Sequence, residues 1–253
     1  MSNTPKKARI IGQGSYLPSK VLSNSDLEKM VETTDEWIVT RTGMKERRLA
    51  SESEHTSFMG AEAAKKTLEQ AGRGADEIDL ILVATLTPDY VFPSTACLIQ
   101  AAIGANKAAA MDIQAACSGY IYGLTTAKAF IESGLYNNIL LVASEKLSSI
   151  VDYEDRNTCI LFGDGAAACV VSGQGSGFFI EGTTLSSDGK EAEMLYMPAG
   201  GSKSPATAET VANKDHCIKM KGKELFKHAV RSMEDAVKRS LDQLGLTEDA
   251  ISY

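Results

Sequence analysis

Two hydrophobic periods alternate along the chain. Unbroken or nearly unbroken apolar runs at Ala8 to Gly12 (ARIIG), Asp79 to Thr87 (DLILVATLT), Ala109 to Ile113, Asn138 to Ser144 and Gly165 to Val171 predict strands. The DLILVATLT run has the continuous apolar character of a strand covered on both faces in a mainly parallel sheet. Between these runs the period lengthens to that of a helix. Thr56 to Ala71 puts Met59, Ala63 and Leu68 on one side, with Gly72 placed to end the helix; Pro93 to Ile103 and Ser118 to Ser133, closed by Gly134, read the same way. The predicted order is βαβαβ. Two short helices come earlier, one over Asp26 to Val31 after Ser25. The other is opened by Thr33 as N-cap with Glu36 at N3, and runs through Trp37, Ile38 and Val39 to near Gly43. After Ser172 the texture changes. Gly and Ser punctuate short strands over residues 177–186, residues 198–215 read as a polar loop, and Gly222 to Leu244 reads as a long helix. The closing residues, Ala250 to Tyr253, look like the onset of a strand. Strand–helix–strand units in both halves allow a diverged duplication.

Composition narrows the class. A length of 253 residues suffices to bury roughly 70–75 % of the unfolded surface without staples. A hydrophobic content of 43 % with 21 Gly and 6 Pro excludes disordered and collagen-like chains. The longest apolar runs, Leu80 to Ala84 and Ile139 to Ala143, fall far short of the ~18 residues of a membrane span. The N-terminus has no apolar stretch of the signal-peptide kind. The expectation is a soluble cytoplasmic protein with no membrane partner. With 26 Lys+Arg against 33 Asp+Glu and no nucleic-acid-binding motif, no nucleic-acid partner is expected either. Five cysteines at irregular gaps, without C-x-x-C, read as reduced thiols. His55, His216 and His228 are not spaced as metal ligands, so no metal site is expected. Gly12-Gln13-Gly14 lacks the third glycine and the helix of a dinucleotide fingerprint, and Gly163-Asp164-Gly165 reads as a turn feeding a strand.

Two constellations carry chemistry. Cys117 lies in Ala115-Ala116-Cys117-Ser118-Gly119, between a predicted strand end and a predicted helix start. A helix N-terminus stabilises an anion by ~0.3–2 kcal/mol, which favours a thiolate nucleophile, and its N–H groups suit a developing oxyanion. A buried structural thiol fits the same residue, since free Cys is among the most buried types; the other four cysteines, Cys97 and Cys169 included, sit in patterns that favour that second reading. The other constellation is Trp37, Arg41, Lys45, Arg47 and Arg48. Trp37 and Arg41, four apart, share a helix face suited to stacking on an adenine ring, while a solvated basic helix end fits the spacing equally.

Taken together the segments resemble β-ketoacyl-acyl-carrier-protein synthase III, the initiating condensing enzyme of fatty acid synthesis. The resemblance is carried by GSYLP at 14–18, DEWIVTRTGMKER at 35–47, FPS at 92–94, AACSG around Cys117, FGDGAAA at 162–168, SDG at 187–189 and MKGKELFK at 220–227. It implies an α/β, thiolase-like fold of α-β-α-β-α layers. Residues 1–172 would form the half with the nucleophile and 173–253 the start of a second, incomplete half. It implies that Cys117 accepts an acyl group from acyl-CoA, acetyl-CoA for preference, and that malonyl-acyl-carrier-protein then condenses with it by decarboxylation to a 3-oxoacyl product. Coenzyme A is here part of a substrate, and no cofactor is implied. Trp37 and Arg156 would flank the adenine with Thr33 and Arg41 nearby. Phe226 would line the pantetheine tunnel, Gly222 would be among the substrate-binding residues, and Phe92 would cross a homodimer interface into the partner's acyl pocket. Lys223 stands where the family commonly has an Asn that contacts CoA. The family's enolate-stabilising His and Asn lie in a segment beyond the position of Tyr253. The resemblance therefore implies a chain without its C-terminal portion and inactive in condensation by itself, with a non-condensing CoA-binding or pairing subunit as the alternative.

Overall fold

A computed structural model describes residues 6–252. The strands, in chain order, are β1 (Arg9–Tyr16), β2 (Lys20–Ser23), β3 (Glu46–Leu49), β4 (Leu80–Ala84), β5 (Ala109–Ile113), β6 (Asn138–Lys146), β7 (Asp164–Ser172), β8 (Phe178–Phe179), β9 (Leu195–Tyr196) and β10 (Lys219–Met220). The helices are α1 (Asn24–Leu27), α2 (Asp35–Thr42), α3 (Thr56–Ala71), α4 (Thr95–Ile103), α5 (Gly119–Glu132), α6 (Arg156–Cys159), α7 (Ala208–Ala212) and α8 (Gly222–Leu244). The chain forms two compact units interleaved in sequence. One comprises the chain up to Lys20, Leu49–Lys146 and Asp164–Thr183; the other comprises Val21–Arg48, Leu147–Gly163 and the chain from Thr184 onward. The division expected after Ser172 falls at the end of β7, inside the first unit.

The first unit is built on one six-stranded sheet in the order β5-β4-β6-β7-β1-β8. β4 pairs in parallel with both β5 and β6, and α4 and α5 supply the two crossovers; β7, β1 and β8 extend the sheet antiparallel. The period of two in the strands sorts their side chains between two helical layers. Ile81, Val83, Leu140, Val142 and Val170 pack with Met59, Ala63, Leu68 and Ile99 of α3 and α4. Leu80, Leu82, Ile139, Leu141 and Val171 pack with Leu124, Ala127 and Ile131 of α5. This is why both central strands read as unbroken apolar runs. Gly12 and Gly14 serve close packing: a Cβ at Gly12 would stand 2.5 Å from the Ala71 Cβ, and one at Gly14 2.8 Å from the Thr67 nitrogen.

In the second unit β2 pairs with β3, and α1, α2 and α6 close over Leu27, Ile38, Val151, Cys159 and Ile160. β9 and β10 form a two-residue antiparallel pair, and α8 carries no buried residue. Among the described residues the layers of the thiolase-like fold thus comprise one full sheet with helices on both faces, and no second full sheet.

Several local expectations shift. The helix carrying Trp37 is capped by Thr34 rather than Thr33: Thr34 has extended backbone (φ −136, ψ 154) and its hydroxyl accepts the Trp37 N–H at 3.1 Å. Two adjacent threonines give the same sequence signal, and the backbone turn decides between them. Likewise α1 is capped by Ser23, reciprocally with Asp26, not by Ser25. Within residues 177–186 only Phe178–Phe179 is strand, because β1 offers that segment two residues of pairing. The polar loop contains α7, with Thr207 as its cap. Of the strand onset expected over Ala250 to Tyr253, Ala250 closes a 3-10 turn that starts at Glu248, residues 251–252 belong to no strand, and Tyr253 lies outside the described residues.

Candidate active site

Cys117 sits where two elements of the first unit meet. β5 ends at Ile113, a 3-10 turn spans Ala116–Ser118, and α5 starts at Gly119. Ala116 takes φ +46, a left-handed conformation that costs a non-glycine residue on the order of 1–2 kcal/mol. The chain tolerates it because the turn is held from both sides. The Ser118 N–H donates to the Ala115 carbonyl and the Gly119 N–H to that of Ala116. Those two N–H groups therefore close the turn and do not point outward, as the sequence alone suggested. Gly119 lets α5 begin against the sheet: a Cβ there would stand 3.0 Å from the Ala84 Cβ, and one at Gly123 2.4 Å from Leu141 Cδ1. The result is an exposed thiol beyond the carboxyl ends of parallel strands, where open α/β sheets place their ligands. Exposure removes the structural-thiol reading for Cys117.

Cys159, Cys169 and Cys217 are buried, and burial pushes the Cys169 thiol up to about 11. Cys97 departs from expectation. It lies on α4 but on the open face, with Sγ 3.2 Å from the Ser94 hydroxyl that donates to it. Phe92, 85 % exposed, stands with Tyr90 and Val91 at the tip of the segment between β4 and α4. That segment is anchored by three carboxylates. Glu145, at the end of β6, accepts from Leu86 N (2.8 Å), Thr87 N (3.1 Å) and the hydroxyls of Thr85 and Thr87. Asp89 accepts from Ser57 N at 2.8 Å, and Asp112 from Thr95 N and Ala96 N at 2.7 and 2.8 Å. Burial raises the Glu145 carboxyl above its ordinary range despite the donors around it.

In the second unit α2 and α6 bring Trp37, Arg41 and Arg156 together. The Arg41 guanidinium carbon lies 5.7 Å from the indole centroid and that of Arg156 5.0 Å, while Arg156 Nη1 donates to the Glu32 carbonyl at 2.9 Å. An open cleft of about 390 Å³ adjoins them, lined by Met30, Val31, Glu32, Glu154, Arg156 and Asn157. Thr33 Oγ1 is sheltered from solvent and has no hydrogen-bond partner. Gly222 opens α8, and Phe226 one turn on is 68 % exposed. Of the basic run, Arg47 is not a solvated charge: it is 4 % exposed, donates through Nε to the Ile160 carbonyl at 2.8 Å, and also bonds Asn24 Oδ1. No sequence signal separates it from Arg48, since its acceptors are distant along the chain. Among the described residues no group of three His, Cys, Asp or Glu is placed to hold a metal ion, and no helix is long and apolar enough to cross a membrane.

A mixed parallel and antiparallel sheet between helical layers, with an exposed cysteine at a strand-to-helix turn, fits a thiolase-like acyl-transferring enzyme. Residues 111–189 match the family described as 3-Oxoacyl-[acyl-carrier-protein (ACP)] synthase III. The chain is 56 % identical over 252 residues to the β-ketoacyl-[acyl-carrier-protein] synthase III of Chlamydia pneumoniae, covering 99 % of this chain and 75 % of that one. The corresponding enzyme of Caldanaerobacter subterraneus subsp. tengcongensis is 54 % identical, with 96 % and 74 % covered. Among solved structures, the synthase III of Aquifex aeolicus superposes with a TM-score of 0.86 at 48 % identity, covering 97 % of this chain and 74 % of that one. That of Thermus thermophilus gives 0.85 at 41 %, with 96 % and 74 % covered. The chain belongs to the β-ketoacyl-acyl-carrier-protein synthase III family, acyltransferases that carry out the initiating condensation of fatty acid synthesis.

Proposed function

We propose that Cys117 accepts an acyl group from acyl-CoA, acetyl-CoA for preference, and passes it to malonyl-acyl-carrier-protein. The observation that carries this reading is the exposed Cys117 on a strained turn at the carboxyl end of the parallel strands. The Cys117 sulfur, as thiolate, attacks the thioester carbonyl carbon; the new C–S bond forms as the bond to CoA breaks, and CoA leaves as its thiolate. Decarboxylation of the malonyl group releases CO2 and leaves its electron pair as an enolate. The enolate carbon attacks the acyl-cysteine carbonyl, forming the C–C bond and returning the Cys117 thiolate. In the family resemblance a His and an Asn serve this second stage.

The nucleotide end of acyl-CoA is assigned to Trp37 and Arg156, with Arg41 and the unpartnered Thr33 hydroxyl beside them, and the pantetheine arm to Gly222 and Phe226. A ring stacked on both sides needs about 7 Å between its neighbours, twice a ~3.5 Å contact. Arg156, at 5.0 Å from the indole centroid, fills the stacking place itself and has to swing outward by about 2 Å to admit an adenine. Phe92, at an exposed apolar tip, suits insertion into the acyl pocket of a second copy in a homodimer. A cytoplasmic enzyme drawing on CoA and acyl-carrier-protein thioesters follows from the same reading. The test is incubation with labelled acetyl-CoA: one label per chain, lost in Cys117→Ala, supports it. Tight CoA binding with no label transferred would instead describe a CoA-binding subunit.

A further inference from the structure

Arg47 lies in β3, is 4 % exposed and forms no ion pair with any carboxylate among the described residues. A buried cation with only neutral acceptors is costly, so its partners identify what the side chain holds together. Nε and one Nη both donate to the Ile160 carbonyl, the C-cap of α6, whose first residue is Arg156. The other Nη donates to Asn24 Oδ1. Asn24, also buried, turns its amide nitrogen to Asp35 Oδ1 at 2.7 Å and to the Met44 carbonyl at 2.9 Å. Asp35 is the first residue of α2 and Met44 lies two residues past its last, so Asn24 holds both ends of the helix that carries Trp37. The relay Asp35, Asn24, Arg47, Ile160 thus ties the helix bearing the indole to the helix bearing the guanidinium that faces it.

We propose that Arg47 is a positioning residue for the nucleotide end of acyl-CoA, its planar fork setting the spacing between Trp37 and Arg156. This rests on the assignment of Trp37 and Arg156 to the adenine. Lysine keeps the charge and much of the stem but, as a point donor, cannot serve the Ile160 carbonyl and Asn24 together in one plane.

The experiment compares acylation of Cys117 by two donors: acetyl-CoA, and the acetyl thioester of N-acetylcysteamine, which has the thioester without the nucleotide. For Arg47→Lys, kcat/KM with acetyl-CoA is expected to fall roughly tenfold through KM, the scale of one hydrogen bond to a charged group, with the short thioester changing less than about twofold. Equal losses with both donors, or no loss with either, would overturn the positioning role. Trp37→Ala in parallel separates the two claims: if it leaves the ratio of donors unchanged, the nucleotide assignment itself fails. If it shifts the ratio while Arg47→Lys does not, only the positioning role fails. Should Arg47→Lys not fold by circular dichroism, the exposed Asp35→Ala, which loosens the far end of the relay, takes its place with the same expected direction and the same overturning result.

Discussion

A thiol reacts only if a reagent can reach it, and here access divides the five cysteines. Cys117 and Cys97 are exposed; Cys159, Cys169 and Cys217 are enclosed by core side chains. Alkylation of the native protein with iodoacetamide is expected to stop at two adducts by intact mass and to reach five after denaturation in guanidinium; a native count above two would contradict the packing around the other three. The turn that carries Cys117 was legible because small residues mark it and the surrounding AACSG marks the family, while the exposure of its thiol was not. The exposure of Cys97 was not, since helical period states which residues share a face without stating what covers it. Arg47 was illegible for a related reason: its acceptor Ile160 is 113 positions away, and a charge run looks the same whether or not one member is buried.

At the scale of elements, caps and close contacts decide boundaries. In the α1 capping box the Ser23 hydroxyl, then the Ser23 N–H and Lys29, hold the Asp26 carboxyl down to about 2 from its ordinary 3.8. A carboxyl with a lowered folded-state pKa stabilises fully above the unfolded value, and that stabilisation is lost as pH falls through the folded one. The Tm difference between wild type and Asp26→Ala is therefore expected to be constant from pH 5 to pH 8 and to vanish on acidification toward pH 2. A difference independent of pH would show that the carboxylate is not the stabilising group. The β1 crossing over α3 is more demanding. Gly12→Ala drives a methyl into the Ala71 backbone and Cβ, at 2.5–2.8 Å, and is expected to cost about 1–3 kcal/mol in urea unfolding; a loss within 0.5 kcal/mol would mean that α3 can slide away. Gly12 and Gly14 both lie in β1, and their packing role needs the partner helix in view.

For the molecule as a whole, the two units carry different kinds of surface. The first covers its sheet with helices on both faces. The second contains α8, along which Phe226, Val230, Met233 and Val237 recur every three to four residues and stay 43–68 % exposed. A continuous apolar stripe of this kind exceeds what scattered surface hydrophobes produce. The 253-residue chain is expected to bind the dye anilinonaphthalene sulfonate in its native state, and Val237→Lys to reduce that fluorescence without changing the Tm. Undiminished fluorescence would place the dye elsewhere.

Local physics determined much by itself: the order from α3 through the alternation of β4 to β6, the full extent of α8, the strand-to-helix turn at Cys117, and the membership carried by motifs along the chain, whereas the short strands β2 and β3 carried no apolar run to announce them. These follow from periodicity, glycine placement and short contiguous segments, each set by neighbours in the chain. Tertiary structure alone decided which threonine caps α2, which thiols meet solvent, that Arg47 is buried between two helices, and that Arg156 stacks on Trp37. Each of those depends on a contact between segments far apart in the chain, and the free energy of such a contact cannot be assigned until both partners are in place.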